Sequence, residues 1–163
     1  MKTRQSDNDR MKKTNSTTGG NGTRNYCFGC GPHNTAGMHL RFQFHGDDPV
    51  VRGAFRMPGR YQGSHKVLHG GIVALLLDEA MGKFNRLEEI IAPTAELSVE
   101  YLRPVPVGRK ITVEARRIRQ QGRHYWREGA ILDEDGKVLA RGTGRFVKIG
   151  DRVPPAAAGG GKR

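Results

Sequence analysis

The sequence predicts an α+β domain in which a curved antiparallel sheet of about six strands wraps one long central helix. Three observations carry this. Residues 70–85 (GGIVALLLDEAMGKFN) form an apolar run long enough for about four helical turns, with few polar side chains. Four strand-like segments follow it, joined by short turn-rich linkers that make antiparallel neighbours. Two more strand-like segments precede it, again separated by a turn.

Taken in order, residues 26–40 (YCFGCGPHNTAGMHL) open with Cys27-x-x-Cys30 and add His33 and His39. A zinc site needs four such donors at suitable spacing, and a lone Cys-x-x-Cys lacks the second spaced pair. A glycine-rich structural turn is therefore preferred over zinc or a redox pair, and no metal is expected. Residues 38–45 then alternate Leu40, Phe42 and Phe44 with Arg41, Gln43 and His45, the period of a half-buried strand. Gly46-Asp47-Asp48-Pro49 turns the chain into a second strand over residues 50–57. Residues 58–69 have no periodicity and read as a loop leading to Gly70. Beyond the helix, strands are expected over residues 94–103, 110–120, 123–133 and 137–148.

Residues 1–25 lack large apolar side chains apart from two Met, and residues 154–163 are mostly Pro, Ala and Gly. Neither can offset the entropy of ordering, so disordered tails are expected over 1–25 and 151–163, with the folded domain between, over 26–150. The net charge is +12, of which the first 25 residues carry +4 and residues 151–163 carry +2. The surplus suits a polyanion, either nucleic acid or a phosphorylated small molecule, and is equally what a solvated basic surface looks like. No aromatic-basic pattern beyond Tyr125-Trp126 supports specific nucleic-acid binding. With no long apolar run near the start and only two Cys, neither signal peptide, membrane span nor disulfide framework is expected, and a reducing cytoplasm is the default.

The acids in the helix focus the functional question. Glu79 has Lys83 four residues on, in the favourable acid-first order, and is explained as an ion pair. Asp78 has only Ala74, Leu75, Met81 and Gly82 at helical spacing. It either reaches a polar cavity or is desolvated with a raised pKa, as a working carboxylate would be, or it bonds a loop backbone structurally. Gly70 and Gly71 place N–H groups without intrahelical partners at the helix N-terminus, where a ligand oxygen can approach closely. Eight residues separate Gly70 from Asp78, roughly 12 Å along one helix, so they cannot both touch one reacting carbon. If they cooperate, the acid must come from a second copy, which makes the protein at least a dimer.

His69-Gly70-Gly71, Leu77-Asp78-Glu79-Ala80 and Thr94-Ala-Glu-Leu-Ser-Val-Glu-Tyr-Leu-Arg103-Pro104 resemble the hotdog-fold acyl-CoA thioesterases, particularly the PaaI-like branch. Cys27-Phe-Gly-Cys-Gly31 and Gly37-Met-His-Leu40 are similar to the start of one subgroup. The resemblance implies a hotdog fold, dimers that pair into tetramers in some members, and an acyl-CoA substrate with no separate cofactor. It implies that the Gly70 N–H polarises the thioester carbonyl, that Asp78 of the opposite subunit is nucleophile or general base, and that the Thr94 hydroxyl helps place water. His69 would orient, with Gly71 beside it, and His65 either lines the mouth or is merely exposed. Arg103, and after it Arg109, would meet the CoA phosphates. Related enzymes often carry Asn six residues before the motif His; that position is Gly63 here, with Gln62 as the substitute. The alternative is a non-hydrolytic module that binds acyl-CoA or acyl carrier protein.

Overall fold

A computed structural model describes residues 24–152. The expected tails fall outside the described residues except at their inner ends, which join the domain. The Asn25 N–H donates to His33 Nδ1 (2.9 Å), and Asp151 lies in a strand.

The elements are β1 (Gln43–His45), β2 (Val50–Arg56), α1 (Gly70–Gly82), α2 (Phe84–Leu87), β3 (Ile90–Ile91), β4 (Thr94–Tyr101), β5 (Lys110–Gln121), β6 (His124–Leu132), β7 (Val138–Val147) and β8 (Gly150–Asp151). Six strands form one antiparallel sheet in the order β1-β2-β5-β6-β7-β4, and β3 pairs with β8 as a small second ladder. The α1 helix packs on one face of the six-stranded sheet, against β2, β4, β5, β6 and β7, which is the sheet-around-helix architecture expected.

Alternation in the central strands sets the two sheet faces. Ile111, Val113 and Ala115 of β5 are buried while Lys110 is exposed and Thr112 and Glu114 are half-buried. Buried Leu76, Leu77, Ala80 and Met81 of α1 meet these residues, Ile131 and Phe146 in one core. The helix lies unusually close to the sheet at Gly129 and Gly142. A Cβ at either would come within 3.3 Å of a Leu77 methyl, so the absence of side chains there sets the helix depth.

Arg127 is the exception on the apolar face, at 1% exposure. Its Nη1 donates to the Met81 carbonyl (2.8 Å) and to Asn85 Oδ1 (2.7 Å), its Nη2 pairs with Glu88, and its guanidinium sits 4.5 Å from the Phe146 ring centroid. Asn85 in turn donates to the Ala92 carbonyl (2.6 Å). One buried cation thereby ties the end of α1, α2 and the chain entering β4 together.

Three expectations change. The first strand covers only Gln43–His45, because the Met38 and Leu40 N–H groups bond the carbonyls of Phe28 and Gly29 in the N-terminal loop instead of a strand. The helix expected over 70–85 is interrupted at Lys83 and resumes through Leu87. The loop 58–69 contains a short 3-10 turn, Gly59–Tyr61, and isolated bridges from Gln62 to Leu68 and from Val67 to Pro106.

Candidate active site

The first turn of α1 is capped from within. His69, in extended backbone conformation, accepts the Gly71 N–H on its Nδ1 (2.9 Å), and its carbonyl takes the N–H groups of Ile72 and Val73. The Gly70 N–H is left with no acceptor among the described residues, at the positive end of the helix dipole. Tyr101 donates its hydroxyl to the Gly70 carbonyl (2.9 Å), and its ring stands 3.5 Å from where a Gly70 Cβ would be. The spot above Gly70 is thus bounded by an aromatic ring and carries one unspent donor.

Two turns further on, Asp78 is half-buried. Burial pushes its carboxyl above the usual aspartate range, the Thr94 hydroxyl works against that by donating to Oδ1 (2.7 Å), and the neighbouring Glu79 charge adds to the rise. Asp78 thus bonds the hydroxyl of a strand residue rather than a loop backbone. It opens on a cleft of about 610 Å³ whose wall includes Ile90, Ala92, Pro93 and Phe146. A carboxylate held by one hydroxyl, made more basic by desolvation and facing a cleft can accept a proton from water or attack an electrophilic carbon.

Glu79 makes the expected ion pair with Lys83 (2.8 Å), but it is not merely an edge pair. Its Oε1 accepts from the Cys27 thiol (3.2 Å), and Gly29 packs so tightly on it that a Cβ there would fall 2.5 Å from its carboxyl carbon. Burial alone would raise Glu79; Lys83 holds it below the ordinary range, while burial pushes the Cys30 thiol up to about 11. The Cys-x-x-Cys turn is thus clasped onto the helix beside Asp78. The donor atoms of Cys27, Cys30 and Glu79 lie within 4.8 Å of one another, with the Lys83 ammonium 2.8 Å from the Glu79 carboxylate.

The remaining predicted residues divide. His69, Gly70 and Gly71 form the capped helix start. Gln62 lies one residue from Gly63, which packs on His69 so closely that a Cβ would sit 3.2 Å from its Cα; Gln62 Oε1 accepts the Lys66 N–H (3.4 Å). His65 is exposed in the same turn. Arg103 donates to the Val138 carbonyl (2.7 Å), and Arg109 lies 3.7 Å from Glu134; both are exposed. Within one chain, Asp78 and Thr94 meet, and the Gly70 group is separate. Tyr101 and Asn85 were not singled out from sequence, since each acts through a partner 31 or 7 residues away that spacing does not reveal. A second concavity of about 540 Å³, lined by Glu100, Glu114, Arg116, Glu128 and Arg141, holds none of the predicted residues. Its charges largely neutralise one another, through Arg116–Glu114 along β5 and Arg141–Glu100 between β7 and β4.

The family described as the thioesterase superfamily matches residues 65–140. The acyl-coenzyme A thioesterase THEM4 of Mus musculus is 29% identical over 94 residues, 57% of this chain and 40% of the mouse protein; the chain therefore spans less than half the length of that relative. A crystal structure described as a thioesterase superfamily protein is 32% identical with a TM-score of 0.69, covering 76% of this chain and 63% of that one. A Streptococcus mutans protein solved bound to acetyl-CoA (17% identity, TM-score 0.63, 69% of this chain and 92% of that one) shares the fold. So does the Escherichia coli PaaI protein of the phenylacetic acid degradation operon (22%, 0.60, 69% and 83%).

Proposed function

With residues 65–140 belonging to the thioesterase superfamily and set in its hotdog fold, we propose that this protein hydrolyses acyl-CoA thioesters to the free acid and CoA. The observation that carries the reading is the pairing of an unspent Gly70 N–H with a desolvated, Thr94-held Asp78 on the same helix. Because the two lie roughly 12 Å apart along that helix, each site combines Gly70 of one chain with Asp78 of another. The sheet supports such a pairing: β4, which carries Thr94, is an edge strand with most of its residues exposed.

The thioester carbonyl oxygen accepts the Gly70 N–H, and charge developing there is stabilised by the helix N-terminus. Asp78 as general base takes a proton from water while the water oxygen bonds the carbonyl carbon. The tetrahedral adduct then expels CoA thiolate, and the proton passes to the sulfur. As nucleophile, Asp78 would instead bond the carbon, release the thiolate and lose the acyl group to water from the resulting anhydride. In either route the Thr94 hydroxyl fixes Oδ1 and leaves Oδ2 to act. His69 contributes by taking up the Gly71 N–H, so that Gly70 alone is presented. The substrate brings its own CoA, and no separate cofactor enters the scheme.

The position where related enzymes carry Asn is Gly63, pressed against His69, and this favours the second reading, a module that binds acyl-CoA or acyl carrier protein without turnover. Hydrolysis of short, long and aromatic acyl-CoAs by the wild type and by Asp78→Asn decides between them. Activity lost on substitution is expected; CoA binding without any turnover by the wild type would establish the second reading.

A further inference from the structure

Beyond Asp78, the cleft contains two cations that the scheme above does not use. Arg86, in α2, and Arg152, just after β8, both line it, both are half-buried, and neither side chain has an ion-pair or hydrogen-bond partner among the described residues. The other cation there, Lys83, is neutralised by Glu79. A basic side chain that gives up part of its hydration without an acid in return is placed for a charge that arrives from outside.

The backbone fixes both arginines to one turn. The Arg152 N–H donates to the Glu89 carbonyl (2.7 Å), and the Glu89 N–H donates to the Arg86 carbonyl (3.3 Å). Glu89 itself is held at a φ of 52°, a left-handed conformation that a non-glycine residue adopts only under constraint. The cleft's apolar lining includes buried Ile90, Ala92 and Phe146 and exposed Ile149. The same cleft therefore carries the Asp78 carboxylate, an apolar wall and two guanidinium side chains with no acid of their own among the described residues.

We infer that Arg86 and Arg152 form an anion-binding rim for the thioester ligand, taking either a phosphate of its CoA portion or a carboxylate on its acyl portion. The inference rests on the thioesterase reading and adds to it a recognition element distinct from Arg103 and Arg109. A guanidinium pair selects planar or tetrahedral oxyanions by forked hydrogen bonds, which a neutral acyl chain cannot satisfy.

The test compares the wild type with the double variant Arg86→Gln/Arg152→Gln on four probes: hexanoyl-CoA, glutaryl-CoA, and the hexanoyl and glutaryl thioesters of N-acetylcysteamine, which lack phosphate. A rise in KM of about tenfold or more is expected where the rim's ligand is present. A rise with both CoA thioesters alone identifies the phosphate; a rise with both glutaryl thioesters alone identifies the acyl carboxylate. No change with any probe overturns the inference. So does a loss accompanied by dissociation on size-exclusion chromatography, which would mean that the arginines pair with acids of a second copy. If the wild type hydrolyses none of the probes, the thioesterase reading fails separately. Calorimetric binding of CoA and glutaryl-CoA to the same two proteins then still reads the rim, with equal affinities for both proteins overturning it.

Discussion

Replacing Arg127 with methionine is expected to lower stability by about 3 kcal/mol, the lower end of the cost of breaking a buried ion pair. The substitution keeps apolar volume against Phe146 but removes the donors to the Met81 carbonyl and Asn85 Oδ1, and one of the two partners of Glu88. Buried acceptors left unpaired cost about 1–3 kcal/mol each. Glu88 keeps Arg117 at 3.0 Å, which holds the total at that lower end. At roughly 2–4 °C per kcal/mol for a chain of this size, the melting temperature should fall by about 6–12 °C. Thermal and urea denaturation of the two proteins measure this directly. Adding Glu88→Gln should recover part of the loss, because the variant leaves Glu88 with only one of its two guanidinium partners. A single variant that melts within 2 °C of the wild type would refute the view that Arg127 organises the helix end.

The raised pKa of Asp78 makes two further expectations. A carboxyl whose folded pKa lies above its unfolded value costs stability once it is charged, so Asp78→Asn should melt higher than the wild type at pH 7. The gain should shrink as pH falls through the raised folded pKa and vanish below the ordinary aspartate range, as melting curves across pH would show. In the pH dependence of kcat/KM, activity should rise through a pKa above that range as the base deprotonates. Thr94→Val removes the bond that lowers this pKa, so its acid limb should move to higher pH while the rate falls; an unmoved limb would disconnect Thr94 from Asp78.

The fold was largely legible because its signals are local. The apolar run from Gly70 and the tight linkers that follow it report their own conformations, whatever lies elsewhere. Asp78 was legible for the same reason, as the acid whose helical neighbours offer it nothing. What escaped depends on groups distant in sequence. The Met38–Leu40 segment alternates like a strand but spends its N–H groups on the Cys loop. Arg127 shares the strand phase of Tyr125, Gly129 and Ile131, and that phase was the available sign that it points into the core. Its partner Glu88 lies 39 residues away and carries no mark of the pairing. The clasp from Cys27 to Glu79 spans 52 residues and was equally hidden, although Glu79–Lys83 was not. The resemblance to known enzymes put the Thr94 hydroxyl in the site as a group that places water, but its bond to Asp78 was hidden, because 16 residues across a helix-to-strand junction fix no geometry by spacing alone.

The central claim, that one helix serves two different sites, is tested most directly by mixing two inactive chains. Gly70→Pro deletes the N–H at the first helical position, where proline is tolerated, and the preceding His69 already has the extended conformation that proline requires. It should be about 10²–10³-fold impaired on an acyl-CoA substrate, and Asp78→Asn more so. Co-refolding them in equal amounts should give back about a quarter of wild-type activity, since half of the dimers would be mixed and each would hold one intact site. If the mixture stays as inactive as its components while mixed dimers form, Gly70 and Asp78 do not meet across a subunit interface.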